Sequence, residues 1–204
     1  MKLYSYVVDH DHGLSPNPSG GFCTLVHCKF NKSGKRRNIV EMANIGDWVL
    51  GTGGQSQDSA GNGKIIYLMR IDEKPSFQDF LEDTRFAGRA DRCDLGEGNA
   101  FALISTHYYY FGRNALRIDD LPENIRTPQL EKKKQNYLCH FSEDQINLLV
   151  SWFENNVTLG VSGEPCSPQA SYVMHSDLQA ACSSSCSCAK NPAHLLPDCN
   201  TKRC

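Results

Sequence analysis

The sequence predicts an α+β fold with several strands, a few short helices and a cysteine-rich C-terminal tail. Two apolar runs separated by a glycine-rich loop lie between Gly46 and Asp72, which is typical of a strand, a loop and a second strand. Ser142 begins a segment with apolar residues at helical spacing, which predicts a helix that packs on the sheet. The composition changes beyond that helix, so we expect a domain over residues 1–158 and a tail over residues 159–204.

The composition excludes some classes of protein. A chain of 204 residues with 40% hydrophobic and 22% charged residues is globular in composition. The formal net charge of −2 gives no overall attraction to nucleic acid, so a nucleic-acid role would need local basic patches. No apolar run approaches the roughly 18 residues of a membrane span, and the N-terminus lacks the apolar stretch of a signal peptide. We therefore expect a cytoplasmic protein that does not associate with membranes.

The segment Lys2–Val8 is predicted to be the first strand, and it is followed directly by Asp9, His10, Asp11 and His12. These side chains could bind a divalent metal, or one of the aspartates could act as an acid/base group or hydrogen-bond a ligand. Neighbouring side chains of an extended chain point to opposite faces, so at most Asp9 with Asp11, or His10 with His12, share a face. Ordinary turn chemistry is the third interpretation.

A second strand is predicted over Phe22–Lys29. Its first cysteine, Cys23, is expected to be a buried structural thiol, since it would act as a nucleophile only if His10 or His12 folded back onto it. The basic residues of the region are Lys29, Lys32, Lys35, Arg36 and Arg37, and Lys29, Lys35, Arg36 and Arg37 are the candidate phosphate contacts. Such a cluster is either a solvated loop or a surface that contacts phosphates.

The loop from Gly51 to Gly63 contains five glycines and no large apolar residue. One interpretation is a β-hairpin with a flexible loop. The other is a loop whose bare backbone closely approaches a ligand. The sequence does not match a phosphate-binding P-loop, because Ile65 stands where that motif has Ser or Thr.

Two capped helices and one further strand are predicted after this loop. Ser76 with Asp79, and Ser142 with Gln145, have the spacing of helix capping boxes. The segment Ala100–Phe111 is predicted to be a single strand. Its four terminal aromatic residues are expected to pack in the core or at a sheet edge, with base stacking as the alternative.

The tail is poor in apolar residues and rich in cysteine. The candidate ligands of a zinc ion are Cys182, Cys186, Cys188 and Cys199, with Cys204 as the alternative fourth ligand. Thiolates can bind zinc in a tetrahedral site and so replace a hydrophobic core. An iron–sulfur cluster and a disordered tail with free thiols are the other interpretations, because the spacing matches no standard zinc finger.

Several motifs resemble the bacterial and phage family called nucleotide modification associated domain 2, over about residues 1–155. They are Asp11-x-Gly13, Pro16-Asn17-Pro18, Gly21-x-Cys23-Thr24-Leu25-x-x-Cys28-Lys29, Gly46-Asp47-Trp48-Val49-x-Gly51-Thr52-Gly53, Leu103-Ile104-Ser105 and Tyr110-Phe111-Gly112. The resemblance implies a place in a system that modifies DNA bases or defends against phage. The strand, polar loop and long strand are also similar to PUA-like domains, which implies a small mixed β-barrel or curved sheet that binds nucleic acid or modified bases.

Two functional hypotheses of different class follow. In both, a pocket lined by Asn17, Cys23 and Thr24 lies beside the backbone of Gly51, Thr52 and Gly53. A non-catalytic reader would stack a base on Trp48 or Tyr110, with the basic loop on phosphates. An enzyme would use Asp11 as the acid/base group on a nucleotide or base. The chain lacks a His- and Asn-rich stretch of the family between Arg85 and Ala100, which favours the reader, whereas the Asp/His cluster favours the enzyme.

Overall fold

The computed structural model describes residues 1–26, 38–92, 100–130 and 137–168, with only the backbone at residues 137 and 138. The strands are β1 (Leu3–Val8), β2 (Cys23–Leu25), β3 (Trp48–Gly53), β4 (Lys64–Arg70), β5 (Leu103–Ser105), β6 (Tyr108–Tyr110), β7 (Leu116–Arg117), β8 (Tyr137–Leu138) and β9 (Gly160–Val161). The helices are α1 (Ile39–Met42), α2 (Phe77–Glu82) and α3 (Glu143–Asn156). No helix in these ranges is both long and apolar enough to cross a membrane.

A mixed sheet forms the centre of the fold. Its strands follow the order β8-β1-β3-β4-β6-β9, with β7 also paired to β4, and β2 and β5 form a separate two-stranded sheet. β1 is parallel to β3, β3 is antiparallel to β4, and β9 is parallel to β6. The predicted α+β class is confirmed. The predicted barrel is wrong for the described strands, because the order of the large sheet is open and its edge strands do not pair with each other.

Both faces of the sheet are buried. On one face, Leu50 and Leu68 pack with Ile146, Leu149 and Phe153 of α3. The opposite face packs against α1 and the small sheet through Tyr4, Val49, Met69, Ile39 and Leu25. The helix α3 is confirmed, and Ser142 and Gln145 form its capping box as predicted. The strand–loop–strand prediction is confirmed by β3 and β4.

The segment Ala100–Phe111 does not form the single strand that was predicted. It bends between β5 and β6, which belong to different sheets. The carboxylate of Asp72 holds this bend, because its Oδ2 accepts hydrogen bonds from the backbone N–H of Thr106 at 2.7 Å and of His107 at 3.2 Å. β2 is likewise shorter than the predicted strand over Phe22–Lys29, and residues 27–29 lie outside the described ranges.

We expect Asp72→Asn to destabilise the protein by about 1–2 kcal/mol at neutral pH, since hydrogen bonds to a charged group would be lost. Burial favours the neutral carboxyl, but hydrogen bonds from Thr106 and Arg70 outweigh it and lower the pKa of Asp72. A lowered folded-state pKa stabilises the fold above the unfolded value of about 3.9 and loses that contribution as pH falls through the folded pKa. Urea unfolding between pH 7 and 3 should therefore show the wild-type advantage shrinking in acid. An advantage that stays constant to the lowest pH would contradict this role.

Candidate functional site

The candidate site lies where β1 ends, beside the glycine-rich loop. The hydroxyl of Ser59 in that loop donates to the carbonyl of Val8 at 2.6 Å and accepts from the N–H of Gly54 at 2.8 Å. The N–H of Asp11 donates to the carbonyl of Asp58 at 2.9 Å. The loop is therefore folded over the end of β1 and fixes Asp58 next to the segment that carries His10 and His12.

His10, His12 and Asp58 form a half-exposed group that we call the histidine cluster. The two imidazole rings stack with centroids 5.8 Å apart and an interplanar angle of 12°, which places both histidines on one face as the alternation predicts. Nδ1 of His10 lies 3.2 Å from Oδ2 of Asp58. Hydrogen bonds from His10 and Ser167 lower the pKa of Asp58, so this carboxyl is ionised at neutral pH.

One nitrogen of His12 is committed to the backbone. Its Nδ1 lies 2.7 Å from the carbonyl oxygen of Ser167, and a carbonyl can only accept, so Nδ1 carries the proton and donates. In the neutral ring Nε2 is then the acceptor. Nε2 of His12 is therefore available to take a proton, to accept a hydrogen bond or to bind a metal.

The segment of residues 160–168, which we call the strap, covers the residues that follow β1, from Asp11 to Gly13. It begins at β9, which pairs with β6, and its Gly163 packs directly on the carbonyl of Phe111. Pro165 then packs on Gly13, leaving no space for a side chain there. The strap is therefore packed against the sheet. The predicted division into a domain and a tail at residue 158 remains a prediction.

Asp11 lies beneath the strap and is only 1% exposed. Its Oδ1 accepts from the hydroxyl of Tyr110 at 2.6 Å and its Oδ2 accepts from the N–H of Cys166 at 3.1 Å. Burial, together with the charge of Asp11 and this hydrogen bond, raises the pKa of Tyr110. Burial first, and then Asp11, raises the pKa of Cys166 to about 12, so that thiol is neutral at physiological pH. In this conformation Asp11 joins β6 to the strap and does not face solvent.

A buried ion pair between Arg89 and Asp91 contacts β2 through the hydroxyl of Thr24, and no sequence pattern predicts it. The two side chains are 8% and 0% exposed, and Nε of Arg89 lies 3.2 Å from Oδ1 of Asp91. Arg89 also donates to the carbonyl of Asn17 at 2.8 Å and to the hydroxyl of Thr24 at 2.7 Å. The stretch around it is charged and lacks periodicity, so no local signal distinguished these residues.

Two of the predicted ligand residues, Asn17 and Thr24, hydrogen-bond within this polar cluster, whereas Cys23 packs in the hydrophobic core. The carboxamide of Asn17 accepts from Ser19, and the hydroxyl of Thr24 donates to Asp91. Cys23 is fully buried as predicted, and burial raises the pKa of its thiol, with Arg89 lowering it and Asp91 and Asp11 raising it further. A thiol in this environment is a poor nucleophile.

The backbone of the glycine-rich segment is covered by the protein itself. A side chain at Gly51 would collide with the ring of Tyr67, and one at Gly53 would collide with the carbonyl of Gly61. The hydroxyl of Thr52 donates to the carbonyl of Tyr6 at 3.2 Å. The glycines are therefore required for internal packing, and the expected open backbone for a phosphate or base edge is not present at Gly51, Thr52 and Gly53.

The two predicted stacking residues are also buried. Trp48 is 2% exposed and packs on the α3 face, whereas Tyr110 is fully buried on the opposite face of the sheet. These rings cannot line a single pocket. The core interpretation of Tyr108–Phe111 is confirmed, since all four aromatic side chains are buried.

Two sets of predicted residues lie outside the described ranges. They are the basic residues Lys29, Lys35, Arg36 and Arg37, and the cysteines Cys182, Cys186, Cys188 and Cys199. Their predicted roles, phosphate contact and zinc binding, stay predictions. A surface depression on the outer side of α3 is lined by Asp144, Asn147, Leu148 and Ser151, none of which was predicted to bind a ligand.

The comparisons with known proteins give one family. A family model described as nucleotide modification associated domain 2 matches residues 1–95 and 91–174, which is well over half of the chain. No curated protein and no solved structure matches. The matched residues include all the elements described above, the histidine cluster and the strap.

Proposed function

The chain belongs to the nucleotide modification associated domain 2 family, and we propose that it recognises a base or nucleotide beside the glycine-rich loop. The family description associates it with systems that modify nucleotides. Within such a bacterial or phage system, which modifies DNA bases or defends against phage, the protein would act in the cytoplasm together with other proteins of that system. The ligand would be DNA or a free nucleotide.

The half-exposed histidine cluster is the observation that carries this proposal. The side chains of His10 and Asp58 are 32% and 40% exposed, whereas the ligand residues that were predicted around β2 and β3 are buried. Imidazole nitrogens and a carboxylate together offer hydrogen-bond donors and acceptors. The edge of a base also carries donors and acceptors, so the two can pair. The ligand would therefore bind at the outer surface where β1 ends.

The basic residues between residues 29 and 37 supply the second part of the proposal. A base in nucleic acid brings phosphates with it, and neutralising phosphates with lysine or arginine releases counterions. Lys29, Lys35, Arg36 and Arg37 would contact the phosphate backbone and position the chain on it. Salt-dependent affinity is then expected for DNA.

Catalysis at the same place is the second candidate function. The hydrogen bond from His12 to the Ser167 carbonyl fixes the ring and presents Nε2, the arrangement that a general base requires. Asp11, the acid/base group expected from the sequence, is buried and has both oxygens hydrogen-bonded, so it would act on a substrate only after the strap moved. In the present conformation Asp11 supports the residues that carry the histidine cluster.

We expect the purified chain to bind short DNAs that carry modified cytosine or thymine, and His12→Ala to weaken that binding by about 5- to 10-fold, the worth of one good hydrogen bond. Fluorescence anisotropy at two salt concentrations measures both effects. His140→Ala is the matched control, because His140 is exposed and follows β8, whose register places it toward the opposite end of β1.

Equal binding of plain and modified DNAs would contradict recognition of a modified base. It would indicate that the protein binds only the DNA backbone. Absence of binding to DNA and to free nucleotides would contradict the proposed function. Turnover of a nucleotide that is lost in His12→Ala while binding persists would instead establish the enzymatic candidate.

A further inference from the structure

We propose that His10, His12 and Asp58 bind a divalent transition-metal ion in a site open to solvent. Each residue offers one ligand atom, and these three atoms lie within 4.8 Å of one another. The site uses the surface of the proposed function, but metal binding itself does not require a nucleotide. The two proposals can therefore fail separately.

The distances are close to those of a metal site. Ligand atoms at 2.0–2.2 Å from a metal are separated by about 2.8–3.6 Å in octahedral or tetrahedral geometry. Nδ1 of His10 and Oδ2 of Asp58 are already 3.2 Å apart. The three ligand atoms lie within 4.8 Å of one another, so completing such a set requires approaches of at most about 2 Å. Half-exposed side chains of a loop can make that movement by small rotations of their dihedral angles.

The fixed orientation of His12 is an independent observation that supports a metal ligand. Histidines that bind metals usually donate their other ring N–H to a carboxylate or a backbone carbonyl, which sets the tautomer and aims the free nitrogen. His12 makes this contact through Nδ1 to Ser167. Ser167 is itself held, since its N–H donates to the carbonyl of Asp11 at 3.0 Å. The strap thus supplies the outer hydrogen bond that a ligand histidine needs.

The donor set indicates the class of metal. Two imidazoles and one carboxylate suit zinc, iron(II), cobalt(II) or manganese(II), and they leave one or more coordination positions for water or a ligand. A structural zinc site would instead be closed by four protein ligands. With one carboxylate the bound site would carry a net positive charge of about one. Such a site is suited to an anionic or oxygen-bearing ligand such as a phosphate or a base carbonyl.

A simple ion pair between His10 and Asp58 is the competing explanation of the cluster. It accounts for the contact of those two side chains. It does not account for the stacking of His12 on His10 or for the orientation of His12 by the strap. A metal accounts for all three features, because it needs every one of the three side chains.

Titration of the full chain with cobalt(II) tests the proposal. Thiolate ligands give cobalt intense near-ultraviolet charge-transfer bands that nitrogen and oxygen ligands lack, so the spectrum separates this site from the tail cysteines. We expect one ion to bind without these bands. His12→Ala and Asp58→Asn should each weaken that binding at least about 10-fold, whereas His140→Ala should not change it.

Circular dichroism and thermal unfolding of the apo variants check that each one is folded. Cobalt binding that shows only thiolate bands would overturn the proposal, as would binding that both variants retain at wild-type affinity. The DNA measurements described above are repeated with a chelator present. Loss of cobalt binding in the variants, with no binding of DNA or of free nucleotides by any form, would support the metal site and contradict the proposed function.

Discussion

Replacing Arg89 by leucine should lower the free energy of unfolding by about 3–5 kcal/mol, the usual cost of removing one partner from a buried ion pair. Asp91 is fully buried, and the guanidinium of Arg89 forms an ion pair with it. Both groups have already lost their hydration in the folded protein. Without Arg89 the carboxylate stays buried and loses this charged partner, so its desolvation cost is less well compensated.

The hydrogen bonds of Arg89 add to this effect because they join segments that are distant in sequence. Its guanidinium donates to the carbonyls of Asn17 and Ser19 and to the hydroxyl of Thr24. The pairing between Asn17 and Thr24 keeps the first of these segments against β2. Leucine leaves the buried acceptors of Asn17 and Thr24 without the donor, so loss of cooperativity around β2 should accompany the loss of stability.

Equilibrium urea unfolding of Arg89→Leu and of the matched variant Arg117→Leu measures the difference. Arg117 also faces an aspartate, at 3.6 Å, but its side chain is 65% exposed, so its replacement should change stability by less than about 0.5 kcal/mol. Removing both charges with Arg89→Met and Asp91→Leu should restore part of the loss. A cost for Arg89→Leu no larger than that for Arg117→Leu would show that the ion pair is not a stabilising element.

The parts of the fold that the sequence predicted are those with a local signal. The helix α3 has both a helical apolar spacing and a capping box, and each acts within a few residues. The bend between β5 and β6 depends on Asp72, whose carboxylate caps Thr106 from 34 residues away. No window of sequence contains that contact. The segment Ala100–Phe111 therefore has the pattern of one strand although the chain turns within it.

The glycines show how one local signal supports two opposite interpretations. Their concentration between Gly51 and Gly63 indicated a place of close approach, which is correct. The approaching groups are the ring of Tyr67 and the backbone of Gly61, rather than a ligand. The glycine content of the loop indicates that another group approaches the backbone closely. It does not identify whether that group belongs to the protein or to a ligand.

The candidate site also combines a feature that the sequence predicts with contacts that it does not predict. Alternation along an extended chain placed His10 and His12 on one face, and they do stack. Asp58 reaches them only because the loop between β3 and β4 folds over the end of β1, and the Asp58–His10 contact spans 48 residues. The burial of Asp11 depends on Tyr110 and Cys166, which lie 99 and 155 residues away. Contacts between residues so far apart in sequence produce no local sequence pattern, so they could not be predicted.

Asp11→Ala should destabilise the protein by about 1–3 kcal/mol for each buried donor that it leaves without an acceptor. The hydroxyl of Tyr110, which is fully buried, is the first of these donors. The N–H of Cys166 is the second, and it is less costly because Cys166 is only partly buried. Asp119→Ala is the control, because the Asp119 side chain is 76% exposed and its loss should be nearly neutral.

The double variant with Tyr110→Phe isolates the contact between the two side chains. If Asp11 and Tyr110 act through their 2.6 Å hydrogen bond, the double variant should lose less stability than the sum of the single variants. Additive losses would mean that the two residues contribute independently, and the proposed link between β6 and the strap through Asp11 would then be wrong.

Hydrogen exchange of the strap distinguishes a role in positioning from general loss of stability. Asp11 accepts the N–H of Cys166 through its side chain, and its backbone carbonyl accepts the N–H of Ser167. In Asp11→Ala the amide of Cys166 should exchange faster at urea concentrations far below the unfolding transition, whereas amides of α3 should keep their protection. Because Ser167 orients His12, a loosened strap should also weaken cobalt binding several-fold, although Asp11 is not a proposed ligand. Unchanged exchange at Cys166 and unchanged cobalt affinity would show that Asp11 does not hold the strap in place over the site.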